Sequence, residues 1–547
     1  MPSLNPVTGN LGTIRAAHLL RRATFGPTAK EIQKVAAKTA AEAVQDLFTL
    51  TEDPMPPIDP ATGQTWLNPR ANPDVNSERE TLDDYFMAWH IERMRTTDNP
   101  LRERIAYFYH THMPTRRSII RSSEAIYYQN ALYRHYAFGN FKALFKRMCL
   151  DNAMLVYLDG ATNDYGSPNE NFAREMFELY SIGKGPQIAE DHYTNYTEHD
   201  IKEAARVLSG FVNDTGFTNL DEETGLPTGI LVGETLASRH DPEQKVFSDV
   251  FQNTVIEPSE TQNGLATKVA VYGEIDAMMD MIFNQPETAR FITRKLYRYF
   301  VYHEITEEVE YEIIHPLAEI FRNNDFDLQP VLEVLFQSQH FYDLDNSITA
   351  DNNIGALIKS PLELIVGTLR FFEVSLPDEL TDTGNLYDGI YRQGLLPQVF
   401  KQGLSFYEPY EVAGYSAYHQ MPGYNRNWIT PHNLASRYDF SNQITNPEAP
   451  LGFTIDVLAW VGDTAHVSNP ADAEEIVTAL TTFFLAVQID EDRFDYYLTR
   501  VFLDTLSPLD WQHEWENYQS SGNDVSVRGK LETLLLAIMQ SPEFQLY

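Results

Sequence analysis

Two histidines one residue apart, His110 and His112, close an apolar stretch beginning Ile105-Ala106-Tyr107-Phe108-Tyr109. Imidazoles move protons and ligate metals near neutral pH, so the pair is a natural place to look for chemistry. If a helix runs through both, the rings point about 200° apart and cannot share a metal. If Pro114 draws the end into extended chain, i and i+2 face one side. Both geometries stand, beside the plainer one of satisfied, partly buried histidines.

A second group is carboxylate. Glu175 and Glu178 are three apart in Pro168–Gly183, where Glu170, Arg174 and Glu178 also follow at helical spacing; His199 and Glu203 lie four apart just downstream, with Arg206 beyond. Helical proteins build dimetal sites from Glu-x-x-His on paired helices. That spacing is missing, so no metal is assigned and a structural Arg/Glu network is favoured. Two carboxylates held close would instead have their pKa values pushed apart, as general acid and base require.

Arg290, Arg294 and Arg298 recur every fourth residue with Lys295 beside them. Such a basic stripe needs a partner. The simplest is the Glu175/Glu178/Glu203 face; the alternative is an anionic ligand held by guanidinium forks.

Between 403 and 429, Tyr407, Tyr410, Tyr415, Tyr418, Tyr424 and Trp428 alternate with Gly and Pro. Rings on an irregular loop form either their own small core or a platform for a glycan or protein, and Tyr415, Tyr418, Tyr424 and Trp428 are the binding candidates. His240-Asp241 with Lys245 lacks a nucleophile elbow, Cys149 reads as apolar filler, and the calcium-like run Asp343–Ser347 lacks the Gly and Glu such loops need.

Helices must position all of these groups. Apolar residues recur at 3.6 spacing over most of the chain, as in Leu101, Ile105, Phe108, and strand-like alternation is scarce. The expected class is mainly α: a large multi-helix globular body with long irregular loops and room for one small β-hairpin within 211–262, near Gly229-Ile230-Leu231-Val232. Residues 1–400 are expected to form the main body, 401–429 the aromatic loop, and 430–547 a C-terminal helical part packed on it. Gln337-Ser338-Gln339-His340-Phe341 and Gln540-Ser541-Pro542-Glu543-Phe544 end two helices alike, by duplication or as a shared packing device.

The 547 residues carry Lys+Arg 41 against Asp+Glu 78, a net charge of −37, which repels nucleic acid and anionic membranes. One cysteine excludes an intrachain disulfide. No signal-peptide core and no membrane-length apolar run is visible, so a cytoplasmic protein is expected, or an exported one if the numbering starts at a mature end.

Ala17-His18-Leu19-Leu20-Arg21-Arg22-Ala23-Thr24-Phe25-Gly26, Tyr109-His110-Thr111-His112, Pro168-Asn169-Glu170-Asn171-Phe172-Ala173-Arg174-Glu175, Tyr196–Arg206, Ala289–Leu296, Lys359-Ser360-Pro361-Leu362-Glu363 and Ser541-Pro542-Glu543-Phe544 occur in an order that resembles the domain-of-unknown-function family 1800. The resemblance covers nearly the whole chain. It implies a bacterial, largely helical protein with no agreed activity. Many such proteins are exported, and many are encoded beside a family resembling phosphatases and sulfatases, which suggests a neighbour as partner.

Two readings follow. One is a protein- or glycan-binding scaffold with a structural Arg/Glu network and no cofactor. The other is a hydrolase or transferase acting on an anionic substrate, with Glu175, Glu178, Glu203, His110 and His112 around a cleft and Arg290, Arg294 and Arg298 holding the anion.

Overall fold

Short polar side chains set where the helices begin. In the computed structural model, which describes residues 2–67, 78–190, 192–345, 354–446 and 451–547, Thr28, Thr39, Thr197, Ser360 and Ser507 each accept the backbone N–H three residues on while an acidic residue there reaches back, a reciprocal capping box. The Thr39 box starts Ala40–Leu47 afresh after Ala29–Ala36. Asn169 caps Glu170–Glu175 by accepting the Phe172 N–H at 3.1 Å.

Helix accounts for 57% of the chain. Strands occur among the described residues only as two-residue and three-residue pieces between 187 and 266, paired as antiparallel two-stranded ribbons. The expected hairpin is one of them, with Phe211–Val212 against Ile230–Leu231 in the register Phe211↔Leu231. Asn346 and Ser347 of the calcium-like run lie outside the described residues.

Side chains from Val7 to Phe544 pack as one apolar cluster. Buried ion pairs cross it: Arg134 grips Glu103 at 2.6 Å, and Arg104 pairs with Glu363. The two Gln-Ser-x-x-Phe segments share a local device, since Ser338 and Ser541 each accept the N–H of the Phe three residues on and that ring is buried.

Four features position the site described next. They are the histidine helix Pro100–His112, the lysine helix Pro286–Phe300, the widened π turn Met176–Ser181, and the aromatic loop 403–429 laid across the ends of the first two.

Candidate functional site

Asn99 caps the histidine helix by accepting the Arg102 N–H at 3.1 Å, and Pro100 suits its first position. The helix continues through His112 and stops at Met113, because the residue before Pro114 avoids helical backbone. Of the two geometries open in the sequence, the helical one holds, and the rings diverge. His110 Nε2 bonds the Tyr415 hydroxyl at 2.8 Å, and its ring lies 4.1 Å from that of Tyr407. His112 donates from Nε2 to the Tyr180 carbonyl at 3.0 Å. That carbonyl stands at the end of the π turn, where the next N–H groups bond back to Phe177 instead. Burial pushes both imidazoles down to about 3; at His112 the Lys295 ammonium adds to the effect and the Tyr180 bond opposes it.

On the lysine helix Phe291, Lys295, Arg298 and Tyr299 share one face at i, i+4, i+7 and i+8. Lys295 Nζ sits 5.3 Å from the Phe291 ring centre. Arg298 donates to the His303 carbonyl at 3.3 Å, and its guanidinium lies 5.4 Å from the Tyr424 ring centre. Among the described residues neither cation has a carboxylate within ion-pair distance. Burial, then the neighbouring Arg298, pulls Lys295 down to about 8, and burial also lowers Arg298.

The aromatic loop closes the third side. Gly414 has a left-handed φ of +102°, and a Cβ there would meet the Thr111 carbonyl at 2.9 Å, so glycine is what lets the loop touch the histidine helix. Beyond it, Tyr418 and His419 come from a single helical turn and Tyr424 and Trp428 from a 3-10 turn. With Glu363 and Tyr547 below, these residues line a narrow pocket of about 30 Å³. His112, Lys295, Arg298, His303 and His419 all line it. Glu363 is its one carboxylate, and Arg104 already neutralises it. Lys295 also depresses His419, after burial, so the ammonium stands within electrostatic reach of both imidazoles.

The sequence candidates therefore divide. His112, Arg298, Tyr418, Tyr424 and Trp428 meet at this pocket. The other four enzyme candidates do not line it. His110 faces Tyr415; Glu178 accepts from the Tyr196 hydroxyl at 2.8 Å and from Lys184; Glu203 accepts from Arg206 and the Val246 N–H; Glu175 is only partly buried, its carboxyl raised by burial and by Glu178. The Arg stripe does not pair with those glutamates. Arg294 binds Glu287 and Glu310, while Arg290 lies 3.9 Å from Glu287, because the nearest acids sit on the stripe's own helix and on the following segment Glu310–Ile314.

The rings of the loop turn inward. Tyr415 and Tyr424 are buried and Tyr418 is half-buried, which favours the small core of the two arrangements open in the sequence; covering them with the protein's own body removes the cost of wetting them. Tyr410, 86% exposed, is the exception. Lys295, His303, His419, Glu363 and Tyr547 were missed as site residues. A usable signal existed for two of them: Lys295 lies three residues before Arg298, and His419 is the one histidine of the aromatic loop.

Elsewhere, His240, Lys245 and Glu274 form a buried triad. His240 Nδ1 bonds the Ser209 carbonyl at 2.9 Å, its Nε2 lies 3.3 Å from both Lys245 Nζ and the Glu274 carboxylate, and Lys245 pairs with Glu274. With all three side chains sealed from solvent, this cluster is structural. Among the described residues no three or more His, Cys, Asp or Glu side chains are grouped to hold a metal ion, and no helix is long and apolar enough to cross a membrane.

Residues 18–546 match the family model described as "Protein of unknown function (DUF1800)". No curated protein and no solved structure matches the chain.

Proposed function

The chain belongs to the DUF1800 family over nearly its whole length, and from that premise, which assigns no chemistry, we propose that the pocket binds a small anionic ligand bearing a carboxylate, phosphate or sulfate group. One observation carries the reading. In a chain of net charge −37, Lys295 and Arg298 face an enclosed pocket three residues apart without a carboxylate partner among the described residues. Leaving two cations partly desolvated and unpaired is costly, and a bound anion would remove that cost. Tyr418, Tyr424 and Trp428 add apolar wall beside the two cations, which suits a small organic anion.

Sulfate and inorganic phosphate, titrated into the purified protein by calorimetry and thermal melting, test this. One site per chain is expected, with stabilisation of about 2.7 kcal/mol at a hundredfold excess over Kd. Arg298→Met should abolish it, and Arg294→Met, whose guanidinium is already paired with Glu287 and Glu310, should leave it intact. Equal responses in the two variants would sink the proposal.

A further inference from the structure

The ammonium of Lys295 has a setting that anion binding alone does not require. It sits against the Phe291 ring, close to Arg298, with an imidazole on each of two pocket walls. His112 commits Nε2–H to the Tyr180 carbonyl, so its Nδ1 carries a lone pair, and that buried atom has no hydrogen-bond partner among the described residues. His419 Nε2 is likewise buried without a hydrogen-bond partner among the described residues, with the Glu411 carboxylate 4.0 Å away. An amine sharing a pocket with two imidazoles, beside a guanidinium fork that can hold a carboxylate, is an arrangement for covalent capture of a carbonyl.

We propose that Lys295 condenses with the carbonyl carbon of a small α-oxo acid whose carboxylate is held by Arg298. This deepens the anion-binding reading and rests on it. The free amine of Lys295 attacks the carbonyl carbon, forming a C–N bond, and the carbonyl oxygen becomes a hydroxyl in the carbinolamine. The C–O bond then breaks; the two hydrogens lost from the amine leave with that oxygen as one molecule of water, and a C=N bond remains. The proton that leaves nitrogen passes to the departing hydroxyl within the carbinolamine, and His112 Nδ1 orients the nitrogen by accepting a hydrogen bond from its N–H while the ring itself stays neutral. No oxidant or reductant takes part.

The i, i+3 spacing of Lys295 and Arg298 places carbonyl and carboxylate contacts on the same helix face, matching a ligand in which these groups are adjacent. The lowered basicity of Lys295, about 8, agrees with the role: at pH 7.5 it leaves about a hundredfold more free amine than an ordinary lysine.

The test uses the unmodified protein with pyruvate or glyoxylate as probe. Borohydride reduces any imine to a stable secondary amine, which intact mass and peptide mapping then locate. The expected result is a single adduct per chain, on Lys295, formed faster than on any other lysine and suppressed by sulfate. Adducts scattered over surface lysines with no preference for Lys295 overturn the proposal. No adduct in a protein that still binds sulfate overturns imine formation and leaves anion binding standing; loss of both removes the two together. His112→Gln, checked by melting, should slow adduct formation at least severalfold at saturating pyruvate, and an unchanged rate would overturn the role given to His112.

Discussion

His112 donates its Nε2 proton to the carbonyl of Tyr180 at 3.0 Å, and this one contact decides the imidazole's tautomer. A carbonyl only accepts, so Nε2 holds the hydrogen and Nδ1 the lone pair. Burial, first, and Lys295, second, then keep the ring from charging until about pH 3. The pocket thus holds a neutral imidazole beside a cation across the physiological range.

Acid should unfold the protein through such histidines. His18, His90, His110 and His112 are all held well below the ordinary histidine range, chiefly by burial. Unfolded, each takes up a proton near pH 6.5, so the unfolded state binds more protons and stability falls as pH drops below that value. Asp151, raised to about 7 by burial, and Asp83, raised to about 6, work the other way, because their protonated forms are favoured in the fold. The net loss between pH 6.5 and 5 is expected to be on the order of 4 kcal/mol. Urea titrations at the two values measure it, and equal midpoints would contradict the assignment.

Anion affinity should fall with alkali. Lys295 faces Arg298, His112 and His419, and its ammonium persists below about pH 8. Sulfate keeps its charge throughout, so raising pH from 7 to 9 should weaken its binding about tenfold as the ammonium is lost. Calorimetry on Lys295→Met should give weaker binding with a flat profile.

The aromatic loop is expected to behave as core. Tyr415 accepts the Tyr407 N–H at 3.0 Å and bonds His110 at 2.8 Å. Tyr415→Phe strands these groups and should cost about 1–3 kcal/mol, and Gly414→Ala, strained by its backbone and clashing with Thr111, about 2–3 kcal/mol. Tyr410→Ser should stay within about 0.5 kcal/mol. Denaturant midpoints for the three variants check the order.

Two arginine substitutions should differ sharply. Arg134→Met leaves Glu103 charged and buried, at about 3–5 kcal/mol. Arg294→Met frees Glu287 and Glu310, which solvent still reaches, and should cost only about 1 kcal/mol. Comparable losses would mean that the Arg294 cluster is sealed from water.

Helical spacing made the two carrier helices legible, since Leu101, Ile105 and Phe108, or Ile292, Leu296 and Phe300, announce a buried stripe. Other helices gave weaker signals. Pro508–Ser521 buries only Trp511 and Trp515, and Asn385–Leu395, though Leu386, Tyr387, Ile390, Tyr391 and Leu395 form a buried stripe, is interrupted by Gly389 and Gly394 and winds as a π-helix. The site was half legible for a related reason. Residue type marked His112 and Arg298 as candidates, but which way a ring turns depends on partners far along the chain, and nothing local to His110 or Tyr415 says that they face each other. Glu175, Glu178 and Glu203 looked convergent because helix spacing reports a shared face and not what that face meets.

The walls of the pocket come from residues as distant as Phe108 and Tyr547, with Lys295, Glu363 and Tyr418 between. Closing loops that long is entropically slow, and contacts of such high sequence separation form late. Refolding kinetics should therefore show helix content returning first and sulfate-binding competence last, with the ligand selecting only chains whose distant segments have met.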